Sequence, residues 1–149
     1  MNIFILSTNP ARAAQYHADQ HVNKMILESA QMLSTVLSGP YKPTHLNHPC
    51  TRWVARSYHN AAWLIALCVN LNLEAQRRYG HTRNHKSMEV VHWAAERLYA
   101  LPDIPITPFA LAMPEQYHTN NPVQSYRAYY RSKTFLTWKH GEPTWLHTM

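Results

Sequence analysis

The sequence predicts an all-α protein: one compact helical domain, residues 1–149, with a short extended segment at its N-terminus. Three observations predict it. Apolar residues recur at steps of three and four through the longest segments, the period of a helix with one buried face. Only three glycines occur, too few for a hairpin-rich β protein or a glycine-rich phosphate loop. Hydrophobic residues make up 46% of the chain and charged residues 15%, a balance that argues against disorder and supplies a core.

Each element has its own signal. "NIFIL", residues 2–6, is apolar and rich in branched side chains, and reads as an extended piece running into the core. Ser7, Thr8 and Asn9 precede Pro10, a capping arrangement, because Pro suits the first helical position. That helix is expected to reach about Leu37, burying Val22, Met25, Ile26, Ser29, Met32, Leu33 and Thr35 or Val36. Gly39, Pro40, Pro43 and Pro49 break the stretch from Ser38 to Arg52. A second long helix is expected from about Thr51 to Tyr79, closed by Gly80. The basic connection "HTRNHKS" leads to a third, shorter helix, "MEVVHWAAERLYAL". Pro102, Pro105, Pro108 and Pro114 then punctuate an irregular stretch, long enough to call for a function or for packing on the core. "NPVQSYRAYYRSKTFLTWKH" opens on an Asn-Pro cap and reads as the last helix, before the tail "GEPTWLHTM". No repeat and no second domain is apparent.

Lys and Arg outnumber Asp and Glu by 14 to 8, for a net charge of +6 and a pI near 9.5, which suggests a polyanionic partner. Cys50 and Cys68 have no C-x-x-C spacing, and the first ten residues lack the basic start of a signal peptide. No apolar stretch approaches the ~20 residues of a membrane span. A reducing, cytoplasmic setting with two free thiols is expected, with no membrane association.

The densest chemistry lies in "YHADQHVNKMILESAQ". His17, His21, Lys24, Glu28 and Gln31 follow at steps of four, three, four and three, so an unbroken helix puts them on one stripe. Gln20 and Asn23 offer solvent-facing positions beside it. Glu28 is the stripe's only carboxylate and can act as acid or base, or stabilise a cation. Lys24 is an ion-pair partner or an amine nucleophile. A solvated face with a Lys–Glu pair, and a zinc site on His17 and His21, are the competing readings.

Basic residues fall in three clusters. Arg52 and Arg56 share a helix face with His59 and Trp63. Arg77, Arg78, Arg83 and Lys86 crowd one turn with His81 and His85. Arg127, Arg131, Lys133 and Lys139 are interleaved with Tyr126, Tyr129, Tyr130 and Trp138. Guanidinium groups among aromatic rings suit phosphates beside stacked bases.

"ADQHVNKMILE" resembles the first-helix motif of the phage pyrimidine-dimer DNA glycosylases, the endonuclease V family, in which the catalytic Glu follows the His of A-D-Q-H by seven residues. His21 and Glu28 have that spacing. "SYHNAAWLIALCVNLNLEAQRRYG" resembles the family's long helix, "MPEQYHTNNPVQSYRAYYRSK" its Pro-Glu-aromatic loop and final helix, and "EPTW" its Pro-Thr-Trp tail. The chain departs from the pattern in placing Leu27 and Gln31 where the family has arginines, and in ending "LHTM" after Trp145. Asn at position 2, in place of a small residue, predicts that Met1 is retained.

The resemblance implies an endonuclease-V-like fold and a DNA glycosylase, with or without strand-cleaving lyase activity, acting on a damaged or modified base. In that family an N-terminal amine attacks C1′ of the nucleotide and forms a Schiff base; an α-amine, with an ordinary pKa of about 8, suits that task. By position Glu28 would be the catalytic carboxylate and Met1 the amine, with Lys24 and His21 beside them. His17, Gln20, Gln31 and Asn2 would line the groove. Arg52, Arg56, Arg83, Lys86, Arg127 and Arg131 would hold double-stranded DNA. No cofactor and no metal is implied, and a monomer in the cytoplasm (the host's, for a phage protein) is expected. Two alternatives share the chain's features: a phage-type base-modifying enzyme without lyase activity, and a non-catalytic factor that binds DNA or protein.

Overall fold

The structure, a computed structural model, describes residues 1–148; Met149, the last residue of the expected tail, lies outside the described residues. All of its regular elements are helical, as the composition predicts. They are α1 (Pro10–Tyr16), α2 (Asp19–Val22), α3 (Lys24–Leu37), α4 (Pro49–Arg56), α5 (Tyr58–Tyr79), α6 (Met88–Ala95) and α7 (Pro122–Arg131). Short 3-10 turns stand at Leu98–Ala100, Glu115–Tyr117 and Thr144–His147. The long α5 is central: α1, α3, α4 and α6 all pack against it.

Ile3, Phe4, Ile5 and Leu6 are buried in the main core, yet they pair with no strand. Buried backbone groups need partners, and side chains supply several of them here. Asn2 N–H donates to Glu28 Oε1 (3.1 Å), Ile3 N–H to Asn2 Oδ1 (2.7 Å), and Arg127 Nε to the Leu6 carbonyl (3.0 Å). The N-terminus is thereby tied to α3.

The helix expected from Pro10 to Leu37 is three helices. His17 and Ala18 adopt extended backbone, which divides α1 from α2, and Asn23 marks the junction with α3. The freed N–H groups are taken from the far end of the chain: Ala18 N–H donates to the Tyr130 hydroxyl (3.0 Å) and Asp19 N–H to the Thr137 carbonyl (2.8 Å). The buried side of α2 and α3 matches expectation, with Val22, Met25, Ile26, Ser29, Met32, Leu33 and Thr35 all inside.

The second expected helix also divides, at Ser57. Its hydroxyl accepts from His59 N–H (3.0 Å) and Asn60 N–H (3.4 Å), so it caps α5 while donating to the Ile104 carbonyl (2.7 Å). Gly80 closes α5 with a φ of 65°. The expected last helix stops at Arg131 instead of reaching His140, because Thr137 and Trp138 serve the α1–α2 break. Trp138 Nε1 donates to the Tyr16 carbonyl at 2.8 Å, and Thr137 N–H to Gln20 Oε1 at 3.0 Å.

The proline-rich stretch after Leu101 is packed, not free. Buried Asn60 ties it to α5, accepting from Thr107 N–H (2.9 Å) while its amide donates to Thr107 Oγ1 (2.7 Å). Farther on, the Ala112 carbonyl accepts from the Asn2 side chain (2.8 Å), so this stretch also fixes the N-terminus.

His17 and His21 belong to this framework. The His17 ring is fully buried; its Nδ1 donates to the Ala13 carbonyl (2.7 Å) and its Nε2 has no partner. His21 stacks on Phe4, and its Nδ1 accepts from the Tyr130 hydroxyl (2.6 Å). Burial, the largest cause in each case, lowers the His17 pKa to about 4 and that of His21 to about 3. The unfolded chain takes up these protons near 6.5, so below that pH it binds more protons than the folded chain. Stability is therefore full above pH 6.5 and falls as the pH drops toward 4, with His17 alone accounting for about 3 kcal/mol. A urea midpoint series across that interval should show the decline, and His17→Leu should make it shallower, leaving the part due to His21.

Candidate functional site

The first two residues and the middle of α3 build the site. The Met1 α-nitrogen lies 3.4 Å from Glu28 Oε1, and Lys24 Nζ lies 3.9 Å from Glu28 Oε2. The same Oε1 accepts the Asn2 N–H. One carboxylate thus faces two cations and a backbone donor. The two cations differ in setting. Lys24 is mostly exposed, and an exposed i, i+4 pair of this kind adds little to stability. Met1 is half-buried as a residue and its side chain is 2% exposed, so the part of Met1 that solvent reaches is its main chain.

The amine is held by both ends of its surroundings. The Met1 sulfur receives the Thr51 hydroxyl at 3.8 Å, anchoring the thioether against α4. Asn2 is fixed by the Ala112 carbonyl and by Cys50 Sγ, which lies 3.8 Å from its Oδ1. Burial raises the Cys50 pKa to about 11, so this thiol is a packing group and a poor nucleophile at neutral pH. An amine placed beside a carboxylate, with its own side chain immobilised, is equipped to attack an electrophilic carbon and to have the resulting cation stabilised.

His48 is a member of this site that the sequence reading missed. It caps α4 by accepting Cys50 N–H at Nδ1 (3.1 Å), which leaves the ring proton of the neutral form on Nε2. Burial first, then the positive charge of the N-terminus, lowers its pKa. The signal was a histidine before Pro-Cys at a helix start, which resembles many ordinary caps.

The stripe drawn on an unbroken helix is interrupted twice, at Ala18, which sets His17 apart, and at Asn23, which lies between His21 and Lys24. Lys24, Glu28 and Gln31 share α3, while His17 is sealed in the core and His21 is turned toward Phe4 and Tyr130. Gln20 is exposed and donates to Thr137 Oγ1 at 2.9 Å. Among the described residues, no three His, Cys, Asp or Glu side chains converge as a metal site.

The basic residues also separate. Arg52, Arg56, Arg83 and Lys86 are exposed and free of carboxylate partners within salt-bridge range among the described residues. Arg52 follows Thr51, the residue that contacts Met1, and Lys86 lines a groove with Leu27 and Gln31. Arg127 and Arg131 are half-buried instead. Arg127 binds the Leu6 carbonyl and lies over the Tyr16 and Trp145 rings, and Arg131 donates twice to the Trp145 carbonyl. Their guanidinium groups hold the C-terminal turn to the N-terminal segment.

A family model described as pyrimidine dimer DNA glycosylase matches residues 1–87. That span contains Met1, Asn2, Lys24, Glu28, His48, Arg52 and Lys86, and it ends just before α6. No curated protein and no solved structure matches at a significant level.

Proposed function

The chain belongs to the pyrimidine dimer DNA glycosylase family, and from that premise we propose that it removes a damaged or modified base from double-stranded DNA, using the Met1 α-amine as nucleophile and Glu28 as catalytic carboxylate. The observation that carries this reading is the 3.4 Å approach of the N-terminal amine to a largely buried carboxylate. Membership of the family supports a DNA repair or modification enzyme in general, and the amine chemistry and an endonuclease-V-like fold are proposed on top of it.

The steps balance without a cofactor. The unprotonated amine attacks C1′ of the target nucleotide. The bond from C1′ to the base breaks, and the base leaves with its electron pair and takes up a proton. The nitrogen, now bonded to C1′ and carrying two protons, gives up one of them. Its freed electron pair forms the C1′–N double bond as the C1′–O4′ bond opens, and O4′ leaves with its electron pair and takes up a proton. A protonated imine remains between the Met1 nitrogen and C1′. Loss of a proton from C2′ then breaks the C3′–O bond and cuts the strand, and water releases Met1 from the sugar. Glu28 has two tasks in this sequence: its charge opposes the positive charge that grows on sugar and nitrogen, and its oxygens accept and return protons. Asn2, bound to the Ala112 carbonyl, and Thr51, bound to the Met1 sulfur, hold the amine in place, and Lys24 screens the outer carboxylate oxygen.

Exposed Arg52, Arg56, Arg83 and Lys86, with a net charge of +6, provide for the phosphate backbone. The test is borohydride trapping on a duplex carrying one abasic site. A covalent adduct of protein and DNA is expected, lost when the α-amine is acetylated. DNA binding without any adduct would overturn the amine mechanism.

A further inference from the structure

We infer that Leu46 is a wedge, an apolar side chain that enters the base stack of duplex DNA and holds one step open beside the Glu28 site. The inference rests on the proposed function for its partner, DNA. It adds the residue that opens the duplex, a task that neither Met1 nor Glu28 performs. A base inside the helix is out of reach of groups fixed on a protein surface, and taking it out of the stack costs a few kcal/mol. Proteins that open such a step commonly insert an apolar side chain, leucine among them.

Leu46 is the most exposed large aliphatic side chain among the described residues, at 63%. Its neighbours in the chain, Thr44, His45, Asn47 and His48, are all polar, so no apolar face of the fold calls for a leucine here. It stands at the tip of a tight turn. His48 N–H donates to the His45 carbonyl (3.0 Å), which makes Leu46 and Asn47 the two central residues. Behind the tip is a shallow depression that Leu46 lines together with Thr51, Arg52 and Arg56, and with no carboxylate. Thr51 also donates to the Met1 sulfur, so a single residue bridges the wedge and the proposed active site. Arg52 and Arg56, one turn or about 6 Å apart along α4, set two cations beside the tip for the phosphates of the opened step.

The turn is held at both ends. Thr44 N–H donates to Thr35 Oγ1 (3.2 Å), which ties its start to α3. Its far end is tied to α4, where His48 Nδ1 accepts Cys50 N–H (3.1 Å). Between them His45 has a φ of 50°, in the left-handed region that side chains usually avoid, and its Nδ1 is paired with Thr44 Oγ1 at 2.7 Å. A wedge fixed before it meets DNA loses little conformational freedom on insertion, so more of its contact energy goes into opening the stack.

The test is the fluorescence of 2-aminopurine, which brightens when the base leaves the stack. Two duplexes carry it on one side or the other of a tetrahydrofuran abasic analogue, and the full chain is added to saturation. Binding is expected to brighten at least one of them. Leu46→Ala should remove most of that rise and weaken binding about tenfold, the worth of one stacking contact, while Leu46→Met keeps both near wild type. On a duplex whose step is already opened by a bulged nucleotide, Leu46→Ala should bind as tightly as wild type. Undiminished brightening in Leu46→Ala overturns the inference. So does a loss of affinity that is equal on the bulged duplex, or binding that brightens neither duplex. The analogue forms no imine, so the readout does not involve the Met1 amine. A failed borohydride trap with brightening intact therefore removes only the amine mechanism, and a trapped adduct without brightening removes only the wedge.

Discussion

Glu28→Gln is expected to lower the rate of borohydride-trappable adduct formation by about 10²–10⁴-fold, the range for loss of a positioned acid–base group. The substitution is selective because of what it keeps. A Gln side chain retains an oxygen to accept the Asn2 N–H that Glu28 Oε1 accepts at 3.1 Å, so the N-terminal segment stays anchored. What disappears is the negative charge 3.4 Å from the Met1 nitrogen, and with it the group that opposes the growing positive charge and carries the proton. Thermal unfolding and DNA affinity should change little. A variant with lost activity and a collapsed melting transition would point to a structural role for Glu28 instead.

Arg78→Met is expected to have the largest effect on stability, with no part in the chemistry. Arg78 is 4% exposed and ties three parts of the chain together. Its Nε donates to Glu74 Oε1 (3.0 Å), Nη1 to Asp19 Oδ1 (3.0 Å) and Nη2 to the Gln15 carbonyl (3.0 Å). Asp19 also accepts Lys139 N–H (3.1 Å), so α1, α2, α5 and the C-terminal segment meet at this ion network. Arg77 bonds Glu74 as well, but from an exposed position. Methionine fills the space and leaves two carboxylates without their buried cation, a loss of about 3–5 kcal/mol. For a chain of this size that lowers Tm by roughly 10 °C. Adding Asp19→Asn should recover part of it, and a melting point within a degree or two of wild type would contradict the network's role.

The helical class, the buried N-terminal segment and the inner faces of α2 and α3 were legible because local composition and period decide them. Breaks in the long helices were not. Ala18 leaves the helix because Tyr130 and Thr137 offer partners to residues 18 and 19, and those partners come from the far end of the chain. Ser57 could have been read as a cap before Asn60, had the apolar period across it been trusted less. The break at Ala18 removes His17 from the stripe and the junction at Asn23 falls between His21 and Glu28, and 100° per residue holds only within one helix. Arg127 and Arg131 illustrate a second limit. A guanidinium over Trp145 and one over a nucleobase look alike in sequence, and only the fold shows that main-chain carbonyls occupy these two. The family motif marked Glu28, but the nearness of Met1 to it depends on Asn2, Thr51 and Ala112, three contacts with no spacing pattern.

The most direct measurement of the central claim is peptide mass mapping of the borohydride-trapped adduct. The account predicts that the reduced sugar is attached to the α-nitrogen of Met1. Attachment at Lys24 Nζ, the other amine facing Glu28, would contradict it and move the nucleophile onto α3.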